Sequence, residues 1–160
     1  MATIPTLCLR GALQKVTVDL GRREIPVRAF YAFPHVIEWL EKMLPTLESV
    51  LDEGRQSPAE QVDFLLYDFI RGADLCHYKR AHIMVPSECG VFEIKTADIR
   101  FFGWFPAVDN FIAADVVTAV FCKERGLYDG YRDQVRRRRD LLDLDVPKFL
   151  SGGIFDVLSS

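Results

Sequence analysis

The chain lacks most of the patterns that announce a chemistry. Its four cysteines, at positions 8, 76, 89 and 122, form no CxxC pair and follow no regular spacing. A structural zinc site needs paired ligands at short spacing, so none is expected, and free thiols in a reducing compartment fit better. There is no phosphate-cradling glycine loop, no nucleophile motif, no internal repeat and no low-complexity segment. No apolar run approaches the ~20 residues that a membrane span requires. The N-terminus, Met1 to Pro5, carries no basic stretch followed by an apolar one, the mark of a signal peptide. The expected protein is cytoplasmic, with no membrane, metal or cofactor requirement.

What is present fits one domain. A chain of 160 residues with 49% hydrophobic and 27% charged residues can bury a substantial core. The net charge of −3 argues against a protein that grips nucleic acid over a large surface. The charge is unevenly spread, however. Lys123, Arg125, Arg132 and Arg136 to Arg139 cluster late, and Glu38, Glu41, Glu48, Asp52, Glu53, Glu60, Asp63 and Asp68 lie earlier. A basic patch on an acidic body follows.

Hydrophobic periodicity orders the elements. Residues 6–11 and 14–20 read as strands, the second through the alternation of Val16, Val18 and Leu20 with polar residues. Gly21-Arg22-Arg23 suits a turn, and 24–32 reads as a third strand whose start, with Pro26, belongs at an edge. Phe33-Pro34 opens a helix that Pro45 must kink or break. A loop is expected at Gly54-Arg55-Gln56. Ser57-Pro58-Ala59-Glu60 fits a capping box, and Val62, Leu65, Leu66, Phe69 and Ile70 form a helical stripe ending at Gly72. Strands are expected over 77–86, 90–95 and 98–105, the last apolar on both sides. A turn follows at 106–110, then a strand over 111–114. Beyond it two readings are open: Asp115 caps a short helix carrying Val116, Val117, Val120 and Phe121, which is favoured, or the β-branched residues continue the strand. A final helix covers 128–142, and 143–160 reads as an extended tail. The expected fold class is α+β: a small antiparallel-rich sheet with two helices from the N-terminal half, a C-terminal helix and an additional N-terminal hairpin.

In the final helix Tyr131, Val135, Arg138 and Leu142 share one narrow sector, and Arg136, Arg137 and Arg139 point elsewhere. An arginine within a packing stripe needs a carboxylate or a ligand, because an unpaired buried charge is costly. An ion pair satisfies this, and so does a phosphate, whose geometry suits the guanidinium fork.

Val91-Phe92-Glu93-Ile94-Lys95, followed by Arg100 at the start of the next strand, resembles the RelE/ParE toxin superfamily, closest to its phage-derived, HigB-like branch. The order strand, paired helices, strand pair, strand, helix over residues 24–142 is similar too, and Cys122-Lys123-Glu124-Arg125 matches the family's basic segment in part. The resemblance implies metal-independent mRNA cleavage, in which the 2′-hydroxyl attacks the adjacent phosphate and cations stabilise the developing charge. Carried onto this chain, Lys95, Arg100, Lys123, Tyr128 and Arg132 are the catalytic candidates. Tyr131, Arg136, Arg137, Arg138 and Arg139 are binding candidates. The implied partners are mRNA on the ribosome, an antitoxin or a host complex. The acidic balance, greater length and N-terminal hairpin depart from the family pattern. They favour an alternative: a phage or mobile-element interaction protein, ParE-like or anti-CRISPR-like, that inhibits a host nucleic-acid-handling complex without catalysis. Each candidate also has a plain structural role open to it: Lys95 and Arg100 on a solvated strand face, Tyr131 in the core. His35, His77 and His82 read as scattered solvated positions.

Overall fold

The computed structural model describes every residue except 53, 54, 77, 78 and 160. The first departure from the expected order is at the start. Residues Ile4–Leu9 form a helix, α1, where a strand was expected. Local capping decides this: the Thr3 hydroxyl accepts the Thr6 N–H, and Pro5 sits in the first turn, where its missing N–H costs nothing. β1 (Gln14–Val16) is shorter than the alternation suggested. Val18 and Leu20 still pack against the core from outside the ladder.

β2 (Ala29–Ala32) leads into α2 (Pro34–Lys42), and a single 3-10 turn, Leu44–Thr46, follows. The helix stops just before Pro45, as its missing donor requires. α3 (Pro58–Arg71) begins and ends where expected. Of the capping box the Ser57 half forms, its hydroxyl accepting the Glu60 N–H, with no return bond to Glu60 among the described residues, and Gly72 takes a left-handed φ of 89°. The loop position at 54 and the strand start at 77 lie outside the described residues.

Three strands follow: β3 (Ala81–Ile83), β4 (Phe92–Lys95) and β5 (Ile99–Ala107). β6 (Asn110–Thr118) runs four residues beyond the expected end. Its ladder with β5 pairs Phe102 with Asp115, Phe101 with Val116, and Arg100 with Val117, so the β-branched run continues the strand. Thr118, not Asp115, caps α4 (Ala119–Arg125). α5 covers Tyr128–Leu141.

The terminal segment is integral to the fold, contrary to the expected extended tail. It carries α6 (Ile154–Val157), buries Val157 completely, and bonds to the β5–β6 hairpin through Leu150 N–H to Phe105 O and Asp109 N–H to Val157 O.

The strands form one mixed sheet in the order β1-β2-β6-β5-β4-β3. Only β2 and β6 run parallel; every other pair is antiparallel. The α+β class therefore holds. One face packs Phe30, Phe69, Phe101, Phe105 and Phe111 beneath α2, α3 and α6. The other packs Phe102, Trp104, Ile112 and Val135 beneath α1, α4 and α5. Gly103 is required between them, since a Cβ there would collide with the Ile112 carbonyl. No described helix is long and apolar enough to cross a membrane.

Candidate functional site

The second face of the sheet is apolar in the middle and polar at the β3–β4 end. Strand alternation explains this. On β4, Phe92 and Ile94 point into the first core, so Glu93 and Lys95 point to the other side. Arg100 stands opposite Lys95 on β5, and His82 stands opposite Glu93 on β3. The end of α4 and the start of α5 then bring Lys123 and Tyr128 over these residues.

The result is an open cleft of about 430 Å3 lined by His82, Glu93, Lys95, Arg100, Lys123 and Tyr128, with Val85 and Asp129 at its margin. Four of the five catalytic candidates meet here. Two carry no counter-charge: neither Lys95 nor Lys123 forms an ion pair among the described residues. Tyr128 sets its ring edge-on to Phe102, with centroids 6.0 Å apart. Beneath the cleft, Cys122 is fully buried, and its thiol is pushed up by burial first and by the Glu93 charge second.

Arg100 is the cleft's structural member. It is buried, its Nε lies 3.2 Å from Glu93 Oε1, and its Nη1 donates to the carbonyls of Thr96 and Ile99. Glu93 Oε2 lies 3.4 Å from His82 Nε2. A buried carboxylate thus sits between a buried guanidinium and an imidazole that is about half exposed.

The fifth candidate, Arg132, stands beside the cleft instead of in it. Its Nη1 donates to Val85 O at 2.8 Å and to Asp129 at 3.2 Å, and its Nε donates to Asp133 at 3.1 Å. It ties α5 to the cleft's rim.

The binding candidates do not form one surface. Tyr131 stacks on Phe102, with centroids 5.0 Å apart and rings nearly parallel, and burial pushes its hydroxyl up. Arg138 meets Asp115 at 3.3 Å, the ion pair its place in the stripe calls for. Arg139 was placed away from the stripe by helical spacing, yet it is the more buried of the two. Its guanidinium lies 3.7 Å from the Phe149 ring centre, and burial pushes its pKa down. The terminal segment that supplies Phe149 creates this site, and helix periodicity cannot register it. Arg136 and Arg137 face outward.

His82, read from the sequence as a scattered solvated position, and Glu93, quoted only as part of the β4 motif, are brought together here. Their pairing depends on the β3–β4 register, which no local pattern encodes. His77 lies outside the described residues. Among the described residues, no group of three or more metal-ligating side chains converges.

Comparison with known proteins gives no further guide: no protein-family model, curated protein or solved structure matches this chain.

Proposed function

We propose that this chain is a RelE/ParE-like protein that cleaves RNA without a metal, and that the cleft between β3–β4 and the α4–α5 junction is its reactive site. The observation that carries the reading is the convergence in one open cleft of an imidazole, a phenol and two ammonium groups that form no ion pair among the described residues. The element order β2–α2–α3–β3–β4–β5–β6–α4–α5, which contains the expected strand, paired helices, strands and final helix with β3 and α4 in addition, supports it as well.

Each group has a role in transphosphorylation. Glu93 Oε2 lies 3.4 Å from His82 Nε2, and in the tautomer that turns an Nε2 proton toward this carboxylate, Nδ1 is the acceptor of the 2′-hydroxyl proton. The 2′-oxygen forms a bond to phosphorus as the bond to the 5′-oxygen breaks. Lys95 and Lys123 stabilise the charge that builds on the phosphoryl oxygens. Tyr128 donates a proton to the departing 5′-oxygen. Arg100 holds Glu93 and therefore positions the base.

Primer extension on a reporter mRNA in a translating bacterial extract tests this. The wild type produces discrete cuts, and His82→Ala lowers their rate by about 10²-fold or more. Lys95→Ala/Lys123→Ala abolishes them. Unbroken mRNA with the wild type, or cuts that persist in both variants, refutes the reading. Arg100→Ala is a poor probe, because it strands a buried carboxylate and tests folding instead of chemistry.

One observation favours the non-catalytic alternative. Arg100 and Arg132 are each committed to carboxylates, which among the described candidates at the cleft leaves Lys95 and Lys123 to meet a phosphate. A protein that holds a host nucleic-acid-handling complex needs no more than that. Intact mRNA together with salt-sensitive binding to such a complex selects it.

A further inference from the structure

The cleft does not end at Lys95. Lys95 and Arg100 also belong to the wall of a second cavity of about 780 Å3, lined as well by Asp52, Gln56, Thr96 and the Asp68–Arg80 pair. Its volume lies within the ~300–1,000 Å3 range of small-molecule sites. It wraps around the β4–β5 turn, so a strand crossing Lys95 enters both spaces.

The chemistry of this cavity differs from that of the cleft. Arg80 is committed to Asp68 at 2.8 Å, and Arg71 meets the same carboxylate at 2.9 Å. Burial acts to raise the Asp68 carboxyl, and the hydrogen bonds from Arg80 and Arg71 overcome it and hold it below its ordinary value. Arg80 is occupied by Asp68, so the cation of this wall that pairs with no carboxylate among the described residues is Lys95, at the border with the cleft, and Asp52 stands among the remaining lining residues. The cavity also offers hydrogen-bonding groups. Gln56 spends its backbone N–H on Asp52 Oδ2 at 3.0 Å and its carbonyl on Gln61 at 3.2 Å. Its side-chain amide bonds to no described residue, and Asp52 Oδ1 accepts nothing from one.

A carboxylate oxygen and a side-chain amide that line one cavity, neither bonded to a described residue, suit a base edge with adjacent N–H donors and a carbonyl. Guanine has that edge: N1–H and N2–H donate to a carboxylate, and O6 accepts from an amide. Adenine and cytosine offer a single amine. Uracil flanks its one N–H with carbonyls that a carboxylate repels. Phosphate contacts position a strand, and base-edge contacts select its sequence.

We propose that this cavity is a guanine-reading subsite adjoining the cleavage cleft, with Asp52 and Gln56 as its specificity-determining residues. As a statement about cleavage it rests on the RNA-cleaving reading above; as a statement about binding it can be tested without it.

The experiment has two arms on the full chain. The first titrates isotope-labelled protein with guanosine, adenosine, cytidine and uridine monophosphates and follows amide resonances. Guanosine monophosphate shifts the Gln56 side-chain amide and Thr96, and binds about tenfold more tightly than uridine monophosphate. Asp52→Asn removes that preference. Equal binding of the two, shifts located elsewhere, or an unchanged preference in Asp52→Asn overturns the proposal, whatever the cleavage assay shows. The second arm maps cut positions. Guanine is enriched beside the cut with the wild type, and Asp52→Asn loses the enrichment while total cutting is retained. Cuts without guanine bias overturn the subsite's role in cleavage. A guanine preference in the first arm with no cutting in the second leaves the subsite standing and removes the ribonuclease reading.

Discussion

Asp98 and Asp115 are almost equally buried, at 4% and 5% exposure, on opposite sides of one sheet, yet their acidities move in opposite directions. On the α3 side, Asp98 accepts from the Ser49 hydroxyl at 2.7 Å, the Val50 and Leu51 N–H groups at 3.0 and 2.8 Å, and the Gln61 amide at 2.6 Å. Burial acts to raise its pKa, and these donors, Gln61 foremost, hold it below the ordinary value. On the α5 side, Asp115 faces Arg138 at 3.3 Å, His35 at 3.5 Å and Gln134 at 3.3 Å. Burial dominates there, and the carboxyl is raised despite its cationic neighbours. At Asp98 four short, directed bonds outweigh burial; at Asp115, surrounded by more protein, the longer contacts do not. The buried arginines on the two sides differ in a related way. Arg28 donates to the carbonyls of Phe69 and Ala73 and lies 3.6 Å from Asp109, a carboxylate that reaches solvent. Arg100 donates to the carbonyls of Thr96 and Ile99 and lies 3.2 Å from Glu93, which is itself buried.

The sharpest way to break this contrast is Arg100→Ala. It leaves Glu93 buried without its cation and lowers stability by about 3–5 kcal/mol in urea unfolding. Arg100→Met/Glu93→Leu restores most of the loss, since a matched apolar pair costs little there. Next is Asp98→Ala, which strands the Val50 and Leu51 N–H groups and the Gln61 amide. It costs about 3 kcal/mol, and hydrogen exchange at those two backbone amides rises ahead of global unfolding.

Asp115→Asn is milder, within about 1 kcal/mol of wild type at neutral pH, because the raised carboxyl already disfavours its charge. The two aspartates also give opposite pH signatures. Asp98 has a lowered folded pKa, so its contribution is present above the ordinary carboxylate range and is lost as pH falls through the folded value. Asp115 has a raised folded pKa, so its contribution is full below the ordinary value and declines as pH rises through the folded one. Unfolding curves from acid to neutral pH check both: Asp98→Asn narrows its deficit toward acid, and Asp115→Asn removes a decline toward neutral pH. The smallest effect is at the rim. Lys123→Ala changes stability by no more than about 0.5 kcal/mol, as an exposed cation without an ion pair should, so any loss of RNA cutting in that variant reports on chemistry.

Local chemistry in the sequence determined a good part of this protein. The Ser57 cap, the α3 stripe and the Gly72 stop are each complete within a few residues, and all three stand where they were expected. Lys95, Arg100, Lys123 and Tyr128 were nameable from short motifs, and one cleft unites them. At the start a local signal was misread: α1 replaced a strand because the Thr3 cap outweighs a weak alternation. Elsewhere local reading failed where a distant partner decides. β6 outran its expected end because β5 continues to pair with it through Thr118. The terminal segment became core because the β5–β6 hairpin bonds to it. The tertiary structure alone decided which charges are spent. Glu93 beside His82, Arg139 beneath Phe149, and the cavity joining Lys95 to Asp52 and Gln56 all arise from strand register and loop placement. Periodicity assigns a residue to a face of its own element; only packing between elements sets what that face meets.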